Sequence, residues 1–300
     1  MTPRRQVGNF LGIIRAPFLS LSPTCVFLGV AVAQYRGNHI DSLLIILIFI
    51  GALAAHISIN ALNEYYDFKS GLDLNTTRTP FNGGSGTLPE NPDLAIDACR
   101  IGLVSLALTA LCGLYFISLR DWQLFPLGML GILIIVGYTN WITRRPFLCL
   151  IAPGLGFGPL MVMGTDYVIS GSYSLIALII SFVPFFLVNN LLLLNQYPDI
   201  EADLRAGRRH FPLVIGKKNS FYIFLTQLLL SYFIIPLGLL LGIFPPNTLV
   251  ILITLPLSIV LARGVFLYLN ETEKLVPYMG LNVVLNLVTP VLLGGCLLFA

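Results

Sequence analysis

The stretch Asn63-Glu-Tyr-Tyr-Asp67-Phe-Lys-Ser-Gly-Leu-Asp73 begins where a long apolar run gives way to a polar segment. Counting back from Asp67 along that run meets Asn63, Asn60 and His56. These four residues stand at i, i+4, i+7 and i+11, which is one face of a helix. Polar groups in a membrane helix are costly, so such a face turns toward a bundle interior or a water-filled cavity. A polar cap on the helix end is the plainer reading of Asp67 alone. A second stretch, Asn195-Gln-Tyr-Pro-Asp199-Ile-Glu201-Ala-Asp203, argues against it. It again follows an apolar run, with Asn195, Asp199 and Asp203 stepped by four. Two acidic clusters at the ends of two hydrophobic helices point to one shared site.

Ionised carboxylates only accept hydrogen bonds, and together they repel anions. Asp67, Asp73, Asp199, Glu201 and Asp203 on one basic membrane face therefore call for a cation. An oxygen donor set without His or Cys in either cluster favours Mg²⁺, or Mn²⁺, over zinc. Asn63 and Asn195 lead the clusters and are candidate ligands beside the aspartates. Among the basic residues, Lys69, Arg78, Arg144, Arg145, Arg205, Arg208 and Arg209 are available to meet phosphate oxygens. For Arg208, Arg209, Lys217 and Lys218, topology and lipid head-group contact outweigh catalysis as the reading. The whole combination is a diphosphate site at a membrane surface.

The elements that must hold these residues are membrane helices. Of the 300 residues, 56% are hydrophobic and 10% charged, against roughly 25% charged in a soluble domain. The first apolar run is long enough to remain as a spanning segment and is not a cleavable leader. The five cysteines, Cys25, Cys99, Cys112, Cys149 and Cys296, are widely spaced and suggest neither a disulfide framework nor a zinc site. About nine spanning helices are expected, over roughly 10–35, 41–64, 93–118, 123–141, 147–169, 173–195, 214–243, 247–268 and 276–299. With the N-terminus cytoplasmic, 15 of the 17 basic residues fall on the cytoplasmic side, and only Arg36 and Arg120 fall outside. The positive-inside rule then sets N-in and C-out in an inner, cytoplasmic membrane, and puts both acidic clusters on the cytoplasmic face.

The expected fold is all-α: a polytopic bundle around a central cavity open to the cytoplasmic face. Residues 1–300 read as one membrane-embedded domain, with the site on two long loops at 65–92 and 196–213. The clusters follow the second and sixth spans, as in a parallel duplication of a four-helix unit plus one helix. Pro198 should kink or end the sixth helix and aim Asn195 and Asp199 inward.

Asn63-x-x-x-Asp67-x-x-x-x-x-Asp73 and Asn195-x-x-x-Asp199-x-x-x-Asp203 resemble the paired Asp-rich motifs of the UbiA-type membrane prenyltransferases. The tail Gly207-Arg-Arg-His-Phe-Pro-Leu-Val-Ile-Gly216 is similar to that family's continuation. Tyr138-Thr139 and the run Gly158–Tyr167 point to its 1,4-dihydroxy-2-naphthoate polyprenyltransferase branch, in menaquinone biosynthesis. Three places depart from that branch: Phe147-Leu-Cys-Leu lacks its acid, Asp166-Tyr167 replaces Tyr-Tyr, and Arg78-Thr-Pro-Phe-Asn-Gly-Gly-Ser-Gly86 differs in its loop. All three bear on the acceptor. The resemblance implies Mg²⁺ held by Asp67, Asp73, Asp199 and Asp203, clamping a polyprenyl diphosphate. It further implies direct contacts from Lys69, Arg78, Arg144 and Arg205, and an electron-rich aromatic acceptor. Asn63, Asn195, Tyr65, Tyr66 and Tyr138 would orient substrates or face an allylic cation. The apolar tail would lie among the helices with access from membrane lipids, and Asn282 and Asn286 either face the same cavity or bond between helices.

A secondary transporter is the rival class, but transporter sites lie near the midplane and these clusters lie at one face. A CDP-alcohol transferase needs a D-x-x-D-G-x-x-A-R arrangement that the sequence lacks. Within the family the alternative acceptors are 4-hydroxybenzoate or another lipid precursor. No nucleic-acid partner is expected.

Overall fold

Each apolar run closes its own backbone hydrogen bonds as a helix, because membrane hydrocarbon offers the amides no other partner. The computed structural model describes residues 3–76 and 78–300, and no strand occurs among them. The side chain of Arg4, part of the N-terminal basic flank, lies outside the described residues. In chain order the helices are α1 (Pro3–Ile13), α2 (Leu21–Tyr35), α3 (Ser42–Lys69), α4 (Thr87–Glu90), α5 (Ala95–Leu119), α6 (Phe125–Gly137) and α7 (Pro146–Leu155). They continue as α8 (Gly164–Ser170), α9 (Leu175–Asn195), α10 (Ile200–Arg205), α11 (Phe211–Leu240), α12 (Leu255–Leu267) and α13 (Thr272–Leu298). Among the described residues, eight helical stretches are long and apolar enough to cross a membrane, and Trp122–Gly137 is a shorter apolar helix. The all-α polytopic architecture read from the sequence is therefore the one observed.

The breaks in these helices matter more for the site than their lengths. The first apolar run is not one helix, as expected from hydropathy. It stops at Ile13 and resumes as a 3-10 turn, Ala16–Ser20, before α2. Pro17 lacks an N–H and disfavours the α conformation in the residue before it. Arg15 takes up the break in a left-handed conformation, φ 50° and ψ 52°. It is the one non-glycine residue with positive φ among the described residues. Such strain persists only where the surroundings hold it, and here Arg15 Nε donates to Glu64 Oε1 at 2.6 Å.

α3 has 28 residues, about 42 Å at 1.5 Å per residue, against a hydrocarbon layer of about 30 Å. Its last turns, with Asn63 and Asp67, must therefore stand at a membrane boundary. The helix runs five residues beyond the expected end at 64, so both residues share one rigid element. The fifth span is continuous from Pro146 to Ser170, but Gly156–Met163 is a π-helical stretch around Pro159. A Cβ on Gly158 would stand 2.4 Å from the Ser181 carbonyl oxygen, so only glycine lets this stretch lie against α9.

α9 is the hub. It packs on α7, on the π-helical stretch, on α11 and on α13. α2 packs along α13, and α3 along α5. Leu28, Val32, Ile180, Leu187, Leu194, Phe224 and Leu285 form the main buried core where α2, α9, α11 and α13 meet. A cavity of about 620 Å³ lies to one side of that core, lined by α2, α3, α5, α6, the π stretch and α9. No residue beyond His210 lines it. Asn282 and Asn286 accordingly do not face it: both are buried in α13, and Asn286 Nδ2 donates to the Asn282 carbonyl at 2.8 Å. Leu114 and Met129 line the cavity and are also exposed, so it opens sideways between α5 and α6.

Candidate active site

The cavity is apolar over most of its depth, with Ile48, Phe116, Ile117, Leu127 and Phe157 in its walls. Polar groups gather at one end. His56, Asn60, Asn63 and Asp67 all line it from α3, as their spacing required. The middle two are tethered: Asn60 Nδ2 donates to the Ile14 carbonyl at 2.9 Å and Asn63 Nδ2 to Thr139 Oγ1 at 3.1 Å. Glu64 does not line the cavity and is fully buried. It accepts from Arg15, from Ser85 N at 2.8 Å and from Ser85 Oγ at 2.9 Å. One carboxylate thus pins the N-terminal break and the loop after α3 against the same helix.

That loop carries Asp73 in a 3-10 turn and folds back through Gly83, Gly84 and Gly86, all at positive φ. A Cβ on Gly84 would stand 2.8 Å from Asp73 Oδ1, so the backbone there passes directly over the carboxylate. The loop also reaches the second motif. Thr76 Oγ1 and Asn82 Nδ2 each donate to Asp199 Oδ1 at 2.6 Å.

The second motif is broken where Pro198 sits. As Pro198 implied, the sixth span ends there: α9 stops at Asn195, a turn follows, and Asp199 caps the separate helix α10, so the step of four from Asn195 to Asp199 is not one helical face. Within α10 the step of four holds, with Asp203 N donating to the Asp199 carbonyl at 2.8 Å. The turn still delivers Asn195, Asp199 and Asp203 to the cavity wall opposite Asn63 and Asp67, and Asp73 lines it too.

Arg208 sits between the two motifs. Its Nη2 donates to Asp67 and its Nη1 to Asp203 Oδ1 at 3.2 Å. His210 Nε2 shares a proton with Asp203 Oδ2 at 2.9 Å. Burial alone would lower the Arg208 pKa, but the Asp67 and Asp203 charges raise it above its ordinary value. The residue therefore stays cationic. Burial raises the Asp199 pKa above the usual carboxylate range, against the donations from Thr76 and Asn82.

Asp73 is the exception to this pairing. It is 2% exposed, and among the described residues neither carboxylate oxygen has a hydrogen-bond partner. Burial, then the Asp67 and Glu64 charges, push its pKa up to about 7. A raised acid pKa means that the fold favours the protonated form, so this site costs stability as pH climbs from about 4 through 7. The stability advantage of Asp73→Asn over the parent should grow by on the order of 2–4 kcal/mol between pH 5 and pH 8, with chelator present. An advantage that is the same at both pH values would contradict an unpartnered carboxylate.

Several expected contributors lie elsewhere. Lys69 and Arg205 are exposed and do not line the cavity. Arg78 does not line the cavity; its Nη2 donates to the Asp73 carbonyl at 3.4 Å and its Nη1 stands 3.9 Å from Glu90. Tyr65 packs with Ile13, Ala61 and Leu88, and Tyr66 stands edge-on to it. Glu201 is exposed. Arg144 faces a separate pocket on the far side of its segment. Tyr138 does line the cavity. Conversely, Arg15, Glu64, Thr76, Asn82 and His210 build the site without having been singled out for it, and Arg208, weighed mainly as a topology or lipid contact, lies between Asp67 and Asp203 instead. The expectation of no histidine near the acids is corrected by His210, which the buried pair with Asp203 draws in. Arg208 and His210 lie in the motif's tail, so proximity in sequence was the available signal.

The profile of the UbiA prenyltransferase family matches residues 21–284. The chain is 26% identical over 269 residues to the 1,4-dihydroxy-2-naphthoate octaprenyltransferase of Bacillus subtilis, covering 87% of this chain and 83% of that one. Its fold is similar to that of a UbiA homolog from Aeropyrum pernix K1, with a TM-score of 0.71 and 16% identity over 93% of this chain and 96% of the other. A UbiA homolog from Archaeoglobus fulgidus bound to GPP and Mg²⁺ gives a TM-score of 0.61 at 14% identity, over 97% of this chain and 100% of the other. Two Asp-rich motifs joined across one cavity, on helices that a family profile covers almost from end to end, make this membrane protein a member of the UbiA prenyltransferase family.

Proposed function

We propose that this prenyltransferase moves a polyprenyl group from a prenyl diphosphate to an aromatic acceptor of the 1,4-dihydroxy-2-naphthoate type, with Mg²⁺ as cofactor. The observation that carries the reading is Asp73: a buried carboxylate with two unpartnered oxygens, in a cavity shared with Asp67, Asp199 and Asp203. An orphaned pair of oxygens beside three further aspartates fits a hard cation, Mg²⁺ or Mn²⁺. Asp67, Asp73, Asp199 and Asp203 would hold it, with Asn63 and Asn195 beside them. Bound there, Mg²⁺ supplies Lewis-acid stabilisation of the leaving diphosphate.

The protein's own groups do the rest. Arg15 gives only its Nε to Glu64, and its terminal nitrogens are left for diphosphate oxygens at the cavity wall. Arg208 is the second cation at that end. The apolar walls below take the polyprenyl tail and keep water from the allylic carbon, and the opening between α5 and α6 admits it from lipid. The carbon–oxygen bond to diphosphate breaks, an electron-rich ring carbon of the acceptor takes the prenyl carbon, and the ring proton is lost. Tyr138 presents an aromatic face at the same level. The Bacillus subtilis relative, named for its naphthoate substrate, supports this acceptor. The 15-to-2 basic asymmetry supports a cytoplasmic N-terminus and a cytoplasmic site in an inner membrane.

The test is a product assay. Purified protein, Mg²⁺, a labelled prenyl diphosphate and a panel of acceptors should yield prenylated naphthoate. Product on 4-hydroxybenzoate or a non-aromatic alcohol, with none on the naphthoate, would reject this acceptor.

A further inference from the structure

Arg144, Arg145 and Arg209 surround a second pocket, completed by Trp141, Pro146, Phe147 and Leu148. It stands back to back with the reaction cavity. Thr143 and Arg208, the sequence neighbours of two of these arginines, line the cavity instead. The Arg209 amide donates to the Thr143 carbonyl at 2.9 Å, which fixes the two strips of chain side by side. No carboxylate lines the pocket, and among the described residues none of the three guanidinium groups enters an ion pair. Arg145 instead lies over the Trp141 ring, 4.8 Å from its centre. All three arginines are exposed, so three positive charges ring one hollow with no carboxylate beside them to offset them.

Two further features give the pocket a direction. α7 is ten residues long and starts at Pro146. Its first free amides, those of Phe147 and Leu148, have no acceptor, while the next, Cys149, is bonded to the Arg145 carbonyl at 2.8 Å. A helix N-terminus with open amides favours a phosphate. The rim is aromatic and exposed, Trp141 by 53% and Phe147 by 63%, where α6 leaves the apolar layer. Exposed aromatics at that level sit among lipid head groups.

We propose that this pocket binds the phosphate of an anionic membrane lipid. The guanidinium groups and the α7 amides take the phosphate oxygens, and Trp141 and Phe147 rest on the glycerol and upper chains. The occupant is lipid-borne because the pocket couples its charge to an apolar rim that a soluble anion would leave uncovered. Its occupancy braces the strip that carries Arg208 into the reaction cavity.

The chain has two tryptophans, so Trp122→Phe leaves Trp141 as the sole reporter. This protein is placed in phosphatidylcholine vesicles doped with an equal minor fraction of brominated phosphatidylglycerol or brominated phosphatidylcholine. Trp141 fluorescence should be quenched more by the anionic lipid. Arg144→Gln, Arg145→Gln and Arg209→Gln should each lower that preference about fivefold, roughly the worth of one basic residue at an anionic surface. The single variants and the unsubstituted reporter suffice should the triple variant fail to fold. Equal quenching by the two lipids overturns the proposal, as does a preference that survives all three substitutions. Loss of the preference in millimolar inorganic phosphate would make it a soluble-anion site instead. A rise in KM for prenyl diphosphate with the lipid preference unchanged would assign the arginines to the substrate.

Discussion

Asp67→Asn and Asp199→Asn should each reduce prenyl transfer by on the order of a hundredfold to a thousandfold, the usual cost of removing one stabiliser of a developing anion. Each change removes a ligand charge and almost no volume. The two losses should combine far less than multiplicatively, because both motifs serve one site. Their effects on folding should differ. Asp67 is a buried partner of Arg208, so its change to Asn removes one of the two charges that hold Arg208, which keeps Asp203, at a cost of about 1.5–3 kcal/mol. Asp199 accepts only from the neutral Thr76 and Asn82, and an amide oxygen at 199 still serves as acceptor. The Asp199 variant should therefore melt close to the parent while the Asp67 variant melts well below it. Single-turnover assays on both variants and the double variant, with thermal denaturation alongside, measure all of this. Near-normal transfer by either single variant would remove the case for a shared site.

Arg208→Met should destabilise the protein more, by about 3–5 kcal/mol. It leaves Asp67 and Asp203 facing each other with only His210 as a partner. Two unpaired carboxylates are a better cation site than two paired ones. Added Mg²⁺ should then recover more thermal stability in the variant than in the parent, although transfer stays low because the diphosphate has lost a positive contact. Arg208→Lys should fall between the two, since a point charge on a single nitrogen cannot span both carboxylates as a planar fork does. Unchanged melting of the Met variant would show that the bridge carries no structural load.

The sequence by itself determined what depends on local periodicity and solvent. Long apolar runs have one economical backbone in lipid, so the all-α polytopic fold followed from composition. The face formed by His56, Asn60, Asn63 and Asp67 followed from a helical repeat that nothing interrupts. In the second motif the step of four alone would suggest one continuous face, but Pro198 marked the break in the sequence: the helix ends before it, and the three polar side chains reach the cavity from two elements. Only the tertiary structure decided which charges meet. Arg144 and Arg208 are alike in type and both lie beside the motifs, yet one faces an outer pocket and the other lies between Asp67 and Asp203. Thr76 and Asn82 find Asp199 across more than a hundred residues, because a loop closed by Glu64 and glycine turns brings them there. A side chain's charge is written in its residue type. Its partner depends on which side of a packed wall the backbone turns it to, and that direction is set by contacts far apart in the chain.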